Sequence, residues 1–147
     1  EIVKKAEEKH VTLYLSKEVV VADAFANDAN TKIVSNMEVP DGWEGVDTAP
    51  SSLERWHKAI LNSKVVLWNG PVGVFEMPNF AKGTIGVCEA IAHLQGATTI
   101  IGGGDSAAAA IQLGYADKFT HISTGGGASL EYLEGKVLPG VEAISDK

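Results

Sequence analysis

Cysteine is almost absent: Cys88 stands alone in 147 residues. That excludes a disulfide framework and a metal site built from cysteines. Cys88 falls in a helical pattern and is expected to be a small core residue. Positive charge is also scarce. Twelve Lys and Arg stand against nineteen Asp and Glu, a net charge of −7, and no basic cluster occurs. Neither nucleic acid nor an anionic membrane surface is expected as a partner. No apolar run approaches the ~18 residues of a membrane-spanning helix, and no signal peptide is visible, so a cytoplasmic location is expected. The histidines, His10, His57, His93 and His121, are scattered without ligand spacing. There is no initiating Met. The chain opens on Glu1–Glu8, already helical in pattern and without a cap before it, so a piece of a longer chain is expected.

Two familiar phosphate signatures are missing as well. No Gly-Lys-Ser/Thr follows any glycine turn, so there is no P-loop. Gly102-x-Gly104-x-x-Ala107 fits a loose dinucleotide fingerprint, which requires an acidic residue at the end of the next strand to hold a ribose. Ser123, Thr124 and Gly125 stand there instead. That counts against a Rossmann dehydrogenase.

What is present is ordinary globular composition, 45% hydrophobic and 21% charged, enough for one domain with a core. Its centre is the stretch Ala97–Ala110. Ala97–Ile101 is a short apolar run with β-branched residues and reads as a buried strand. Gly102, Gly103 and Gly104 stop it. Asp105 or Ser106 is a suitable N-cap, and the alanines that follow favour helix. A helix N-terminus offers free N–H groups and a positive dipole end, and glycines let a phosphate approach it. Asp105 sets a carboxylate beside that place, which is consistent only if a cation such as Mg²⁺ lies between the two negative groups. The plain alternative is a structural glycine turn.

In chain order, a short helix runs from Ile2 to near His10. Val11–Leu15 and Val19–Ala22 read as strands, Asp23–Lys32 as loop, and Ile33-Val34 is too short to assign. Val39–Pro50, with its Pro and Gly, reads as loop. A helix starting at Ser51 or Ser52 carries Leu53, Trp56, Ile60 and Leu61 on one face. Lys64–Trp68 is a strand ending in the turn Asn69–Glu76. Asn79–Gln95 reads as helix, Asp117–Ile122 as strand, and Ser123–Ser129 repeats the glycine turn before a helix at Leu130–Leu133. Strand alternating with helix over residues 64–134 predicts right-handed βαβ units and a parallel sheet. Three successive strands then end in glycine turns, at 69–73, 102–104 and 125–127, on the edge where such sheets bind ligands.

Those turns resemble one family. Val65–Glu76 (V-V-L-W-N-G-P-V-G-V-F-E), Gly102–Ser106 (G-G-G-D-S) and Ser123–Ser129 (S-T-G-G-G-A-S) are similar to the phosphoglycerate kinase family, in that family's order. The likeness extends through Asp47-Thr48-Ala49-Pro50 and Leu138-Pro139-Gly140-Val141, and is of bacterial type. It implies an α/β fold, a three-layer, parallel-sheet, Rossmann-like nucleotide-binding domain. The domain is expected to be incomplete, its first strands preceding residue 1. Residues 1–147 would be its C-terminal portion, with a tail at 136–147.

The resemblance implies reversible phosphoryl transfer between 1,3-bisphosphoglycerate and MgADP, giving 3-phosphoglycerate and MgATP. It implies Asp105 as the magnesium carboxylate, and Gly103, Gly104 and Ser106 as helix-start contacts to phosphates. Glu76 would hold the ribose hydroxyls. Asn69, Gly70, Pro71, Gly73 and Val74 would wall the nucleotide, and Gly45 would lie near the base. Gly125 and Gly126 would donate to the transferring phosphoryl group. The family's phosphate-binding lysines, and the separate domain that binds 3-phosphoglycerate, precede residue 1; Lys64 and Lys82 read as solvated surface charges. An N-terminal part of the same protein is therefore an expected partner. A non-catalytic nucleotide-binding module and a folding or complementation piece are the alternatives.

Overall fold

The computed structural model describes residues 1–144; positions 145–147 of the expected tail lie outside the described residues. Strands β4 (Val65–Trp68), β5 (Thr98–Gly102) and β6 (His121–Ser123) form a parallel sheet in the order β4-β5-β6. The pairings Trp68 with Ile101 and Ile101 with Ile122 set its register. Helices α3 (Lys82–Ala92), α4 (Gly104–Gln112) and α5 (Gly126–Leu133) alternate with these strands, as expected.

Alternate side chains of a strand face opposite ways. Val66, Trp68 and Ile101 therefore turn to one face, where Val87, Cys88, Ile91, Ala107 and Ala110 close the main core. Trp68 stacks on Phe119 with ring centroids 6.1 Å apart. Ile101 is fully buried, a contribution of about 1.5–3 kcal/mol by apolar transfer. Leu67 and Ile100 face the other way, towards Ala128, Tyr132 and Leu133 of α5 and Leu138 before α6 (Pro139–Glu142).

Of a second, antiparallel sheet only the strand expected at Val19–Ala22 was legible in the sequence. Strand β1 (Glu18–Ala22) lies between β2 (Thr31–Ser35) and β3 (Glu44–Thr48). The Val39–Pro50 stretch, expected as loop, thus contains a strand, and Asp47-Thr48 belong to it. Pro40 and Gly42 only build the turn before it, where Trp43 N–H bonds Pro40 O; Val46 and Asp47 are buried against the rest of the fold. Ile33-Val34, left unassigned, lies in β2.

Other boundaries differ from expectation. Val11–Leu15, between α1 (Ile2–Glu8) and β1, forms no strand, because no strand among the described residues offers it a ladder. Its Tyr14 carbonyl instead accepts a 2.7 Å hydrogen bond from Trp56 Nε1 on α2 (Pro50–Leu61). Leu61, expected on the apolar face of α2, is 55% exposed, since it falls in the last turn. The helix expected from Asn79 begins as a 3₁₀ turn at Pro78–Phe80 and becomes α-helical only at Lys82. The Asp117 end of the strand expected at Asp117–Ile122 is a 3₁₀ turn at Ala116–Lys118. The helix expected at Leu130–Leu133 starts earlier, at Gly126. Neither Asp105 nor Ser106 caps α4. Gly103 does, at φ 112°, a left-handed turn that favours glycine, so both lie inside the first turn.

Candidate functional site

The carboxyl ends of β4, β5 and β6 are tied together by backbone and short side chains. Gly70 N–H donates to Ser106 Oγ at 2.7 Å, and Gly70 O accepts from Trp68 Nε1 at 2.8 Å. Gly103 N–H donates to Ser123 O at 2.9 Å. A Cβ on Gly126 would lie 3.0 Å from Gly103 Cα and 3.3 Å from Asn69 Nδ2. Asn69, Gly103 and Gly126 therefore meet at one point. The three turns expected to share an edge do share it.

The first intrahelical bond of α4 runs from Ala107 N–H to Gly103 O at 3.1 Å. The N–H groups of Gly104, Asp105 and Ser106 are consequently left without an intrahelical acceptor at the positive end of the helix. Asp105 is exposed and joins no ion pair among the described residues. Ser106 is fully buried and its hydroxyl accepts from Gly70 N–H, so its side chain serves the fold.

At the third turn, Gly125 N–H bonds Ser123 Oγ at 3.3 Å and Gly126 N–H bonds Thr124 O at 3.2 Å. The unclaimed donors at the start of α5 are those of Gly127 and Ala128, which motif reasoning passed over. Only counting donors along the helix start finds them.

The remaining expected residues form a second group. Val74 N–H bonds Val46 O at 2.9 Å, which brings the loop after β4 against β3. Gly45 sits next to Val46 and pairs with Val21, with open space where a side chain would be. Pro71 and Gly73 are half-buried in the connecting loop, and Glu76 is exposed at its far end. The loop itself bridges the groups, stapled to α4 at Gly70 and to β3 at Val74.

The hollows of the surface only partly follow this map. One of about 460 Å³ borders the glycine turns at Ser123, Gly125 and Ser129. A larger one of about 620 Å³ lies by Val20, Lys32, Asp47 and Phe80 and is lined by none of the expected residues. Free backbone N–H groups gather at the turns and not at that hollow.

Buried polar residues were also missed. Asp47 and Thr84 are 7% and 1% exposed. Burial pushes the Asp47 carboxyl above its usual range, a rise opposed by the N–H groups of Gly83 and Thr48 and by the Lys82 charge. Asp47 was hidden in a stretch whose Pro and Gly suggested loop.

Strand–glycine turn–helix units meeting at the carboxyl edge of a parallel sheet define a Rossmann-like α/β protein. The chain belongs to the phosphoglycerate kinase family, whose sequence model matches residues 1–136. It is 60% identical over 147 residues to the phosphoglycerate kinase of Limosilactobacillus fermentum, covering 100% of this chain and 36% of that protein. The Enterococcus faecalis phosphoglycerate kinase is 62% identical over 135 residues, 92% of this chain and 34% of its own length. The fold matches the phosphoglycerate kinase structure from Coxiella burnetii with a TM-score of 0.86 and 37% identity, over 95% of this chain and 36% of that one. That from Pyrococcus horikoshii gives 0.74 and 30%, over 96% and 35%. The chain thus spans about a third of the length of the curated relatives it matches.

Proposed function

We propose that the chain supplies part of the MgADP/MgATP site of a phosphoglycerate kinase, which passes a phosphoryl group from 1,3-bisphosphoglycerate to ADP and back. The observation that carries this reading is the meeting of Asn69, Gly103 and Gly126 beside the free N–H groups of α4. In this reading the N–H groups at the start of α4, beginning with exposed Gly104, bind phosphates; Gly103, whose own N–H is taken by Ser123 O, supplies the turn that lets them approach, and buried Ser106 anchors it. Asn69, Gly70, Pro71, Gly73 and Val74 wall the nucleotide, Gly45 borders the base, and Glu76 accepts from the ribose hydroxyls. The donors beside Gly125 and Gly126 face the transferring group.

Magnesium fits this residue set. Among the described residues no group of three or more His, Cys, Asp or Glu could hold a metal. One exposed carboxylate at a helix start suits a cation whose other ligands are phosphate oxygens and water. Asp105 would be that ligand. Bound there, the metal neutralises charge on the phosphates.

The chemistry asks little else of the protein. The acceptor in the reverse direction is a carboxylate, ionised near neutral pH, so no general base is needed. Alignment and charge neutralisation suffice. The remaining cations and the 3-phosphoglycerate site belong, in this reading, to an N-terminal part of the protein. No helix among the described residues is long and apolar enough to cross a membrane; a cytoplasmic location is part of the proposal.

The test is a coupled ATP-formation assay on the full-length protein with 1,3-bisphosphoglycerate and MgADP. Glu76→Gln should raise KM for ADP and ATP alike and leave 3-phosphoglycerate binding nearly unchanged. No ATP formation by the unmutated protein overturns the reading; a selective loss of 3-phosphoglycerate binding overturns the ribose role.

A further inference from the structure

The loop carrying Val74 and Glu76 is held from below by two buried polar side chains. Thr84 Oγ1 accepts from both Val72 N–H, at 3.1 Å, and Gly73 N–H, at 3.2 Å, using the hydroxyl's two lone pairs. Asp47 reaches the same place from β3. Its Oδ2 accepts from Gly83 N–H at 3.0 Å and its Oδ1 from Thr48 N–H at 2.8 Å. A Cβ on Gly73 would lie 2.5 Å from Asp47 Oδ1 and 2.5 Å from Phe80 O, so the loop rests on the carboxylate with no room to spare. Val74 N–H then bonds Val46 O. Three consecutive loop residues are thus fixed by α3 and β3.

Burying a carboxylate and a hydroxyl where apolar side chains would fit works against stability unless every lone pair is used. What these groups add is direction: Thr84 fixes the N–H groups of Val72 and Gly73, while Asp47, bonded to Gly83 and Thr48 and not to the loop, holds the floor on which Gly73 packs. The loop they fix is the one that walls the nucleotide in the reading above, on which the inference rests. We infer that Thr84 and Asp47 are positioning residues for the nucleotide, holding the backbone of Val72–Val74 so that Val74 and Glu76 form a preformed wall.

The experiment uses the full-length protein and steady-state kinetics with both substrates varied. Thr84→Val keeps the shape and removes the acceptor, leaving two buried N–H groups unpaired. It should raise KM for ADP about tenfold while kcat and KM for the phosphoglycerate substrate stay near their original values. Thr84→Ser, which keeps the hydroxyl, should restore KM for ADP. Asp47→Asn is the second variant: its amide sets an N–H against one of the two donors, and it too should raise KM for ADP selectively. If the unmutated protein forms no ATP, the nucleotide reading falls and takes this inference with it. If it is active and either folded variant keeps the original KM for ADP, or loses both substrates equally alongside a lower Tm, the inference alone is overturned.

Discussion

The hydroxyl of Ser106 accepts a 2.7 Å hydrogen bond from the backbone N–H of Gly70, thirty-six residues earlier in the chain. One fully buried side chain thereby joins the turn after β4 to the start of α4. Ser106→Ala leaves the Gly70 N–H without its partner, a loss of about 1–3 kcal/mol for a buried donor. Denaturant unfolding of the full-length protein should report that loss. Calorimetry should report weaker ADP binding if the proposed site holds, because Asn69 and Gly70 are released from the start of α4. Unchanged stability together with unchanged ADP affinity would show that the staple is dispensable.

Asp105 bears on a different interaction. In the proposed site its carboxylate touches the cation and not the phosphate. Asp105→Ala in the full-length protein should therefore weaken MgADP far more than metal-free ADP. Paired calorimetric titrations, with magnesium and with a chelator, separate the two. An equal loss in both would reduce Asp105 to a first-turn acid favoured by the helix dipole.

The first two glycine turns were legible in the sequence because each follows a largely apolar run, the pattern of buried parallel strands, and the third because its glycines repeat the device. Of the antiparallel sheet only β1 was, at Val19–Ala22. Strand β2 begins with Thr31-Lys32 and has Ile33 52% exposed, so it lacks an apolar run, and β3 starts within a stretch rich in Pro and Gly. Val11–Leu15 shows the reverse error: β-branched and apolar residues suggest a strand, but a strand needs a neighbour to bond. The motifs singled out Asn69, Gly103 and Gly126, which the fold brings together. They did not reveal that the Ser106 hydroxyl is consumed internally, nor that Asp47 and Thr84 underlie the loop. Those facts belong to contacts between residues far apart in sequence.

Cys88 allows a check on the core through pH. Burial pushes its thiol up to about 11 from an ordinary value of 9.0, with the Glu89 charge adding to the rise. The folded state then holds this proton more tightly than the unfolded state does. Its contribution to stability is complete below the unfolded value and is lost as pH rises through about 11. Denaturation midpoints should therefore fall across that alkaline interval, and Cys88→Ala should flatten that part of the profile. A thiol reagent at neutral pH should leave the native protein unlabelled, since the thiolate is the reactive form. Rapid labelling without unfolding would contradict the buried placement.

The 147 residues alone should show no kinase activity and only partial stability. Among the described residues β4 pairs with β5 on one side only, and an unpaired strand edge invites association with other chains. Ile2, Leu15 and Val65 are 77%, 59% and 67% exposed, apolar surface without a cover in this chain. No lysine or arginine is expected at the glycine turns, and Lys64 and Lys82 are exposed surface residues. The transferring group would then lack most of its neutralising charge; removing even one preorganised donor raises a barrier by about 3 kcal/mol. Adding the N-terminal polypeptide of the same protein should restore stability and turnover together, since a partner that binds only the folded form stabilises it. The measurement is ATP formation and thermal unfolding by the purified chain, with and without that polypeptide. Turnover by the 147 residues on their own would mean that the cationic half of the site lies within this sequence after all.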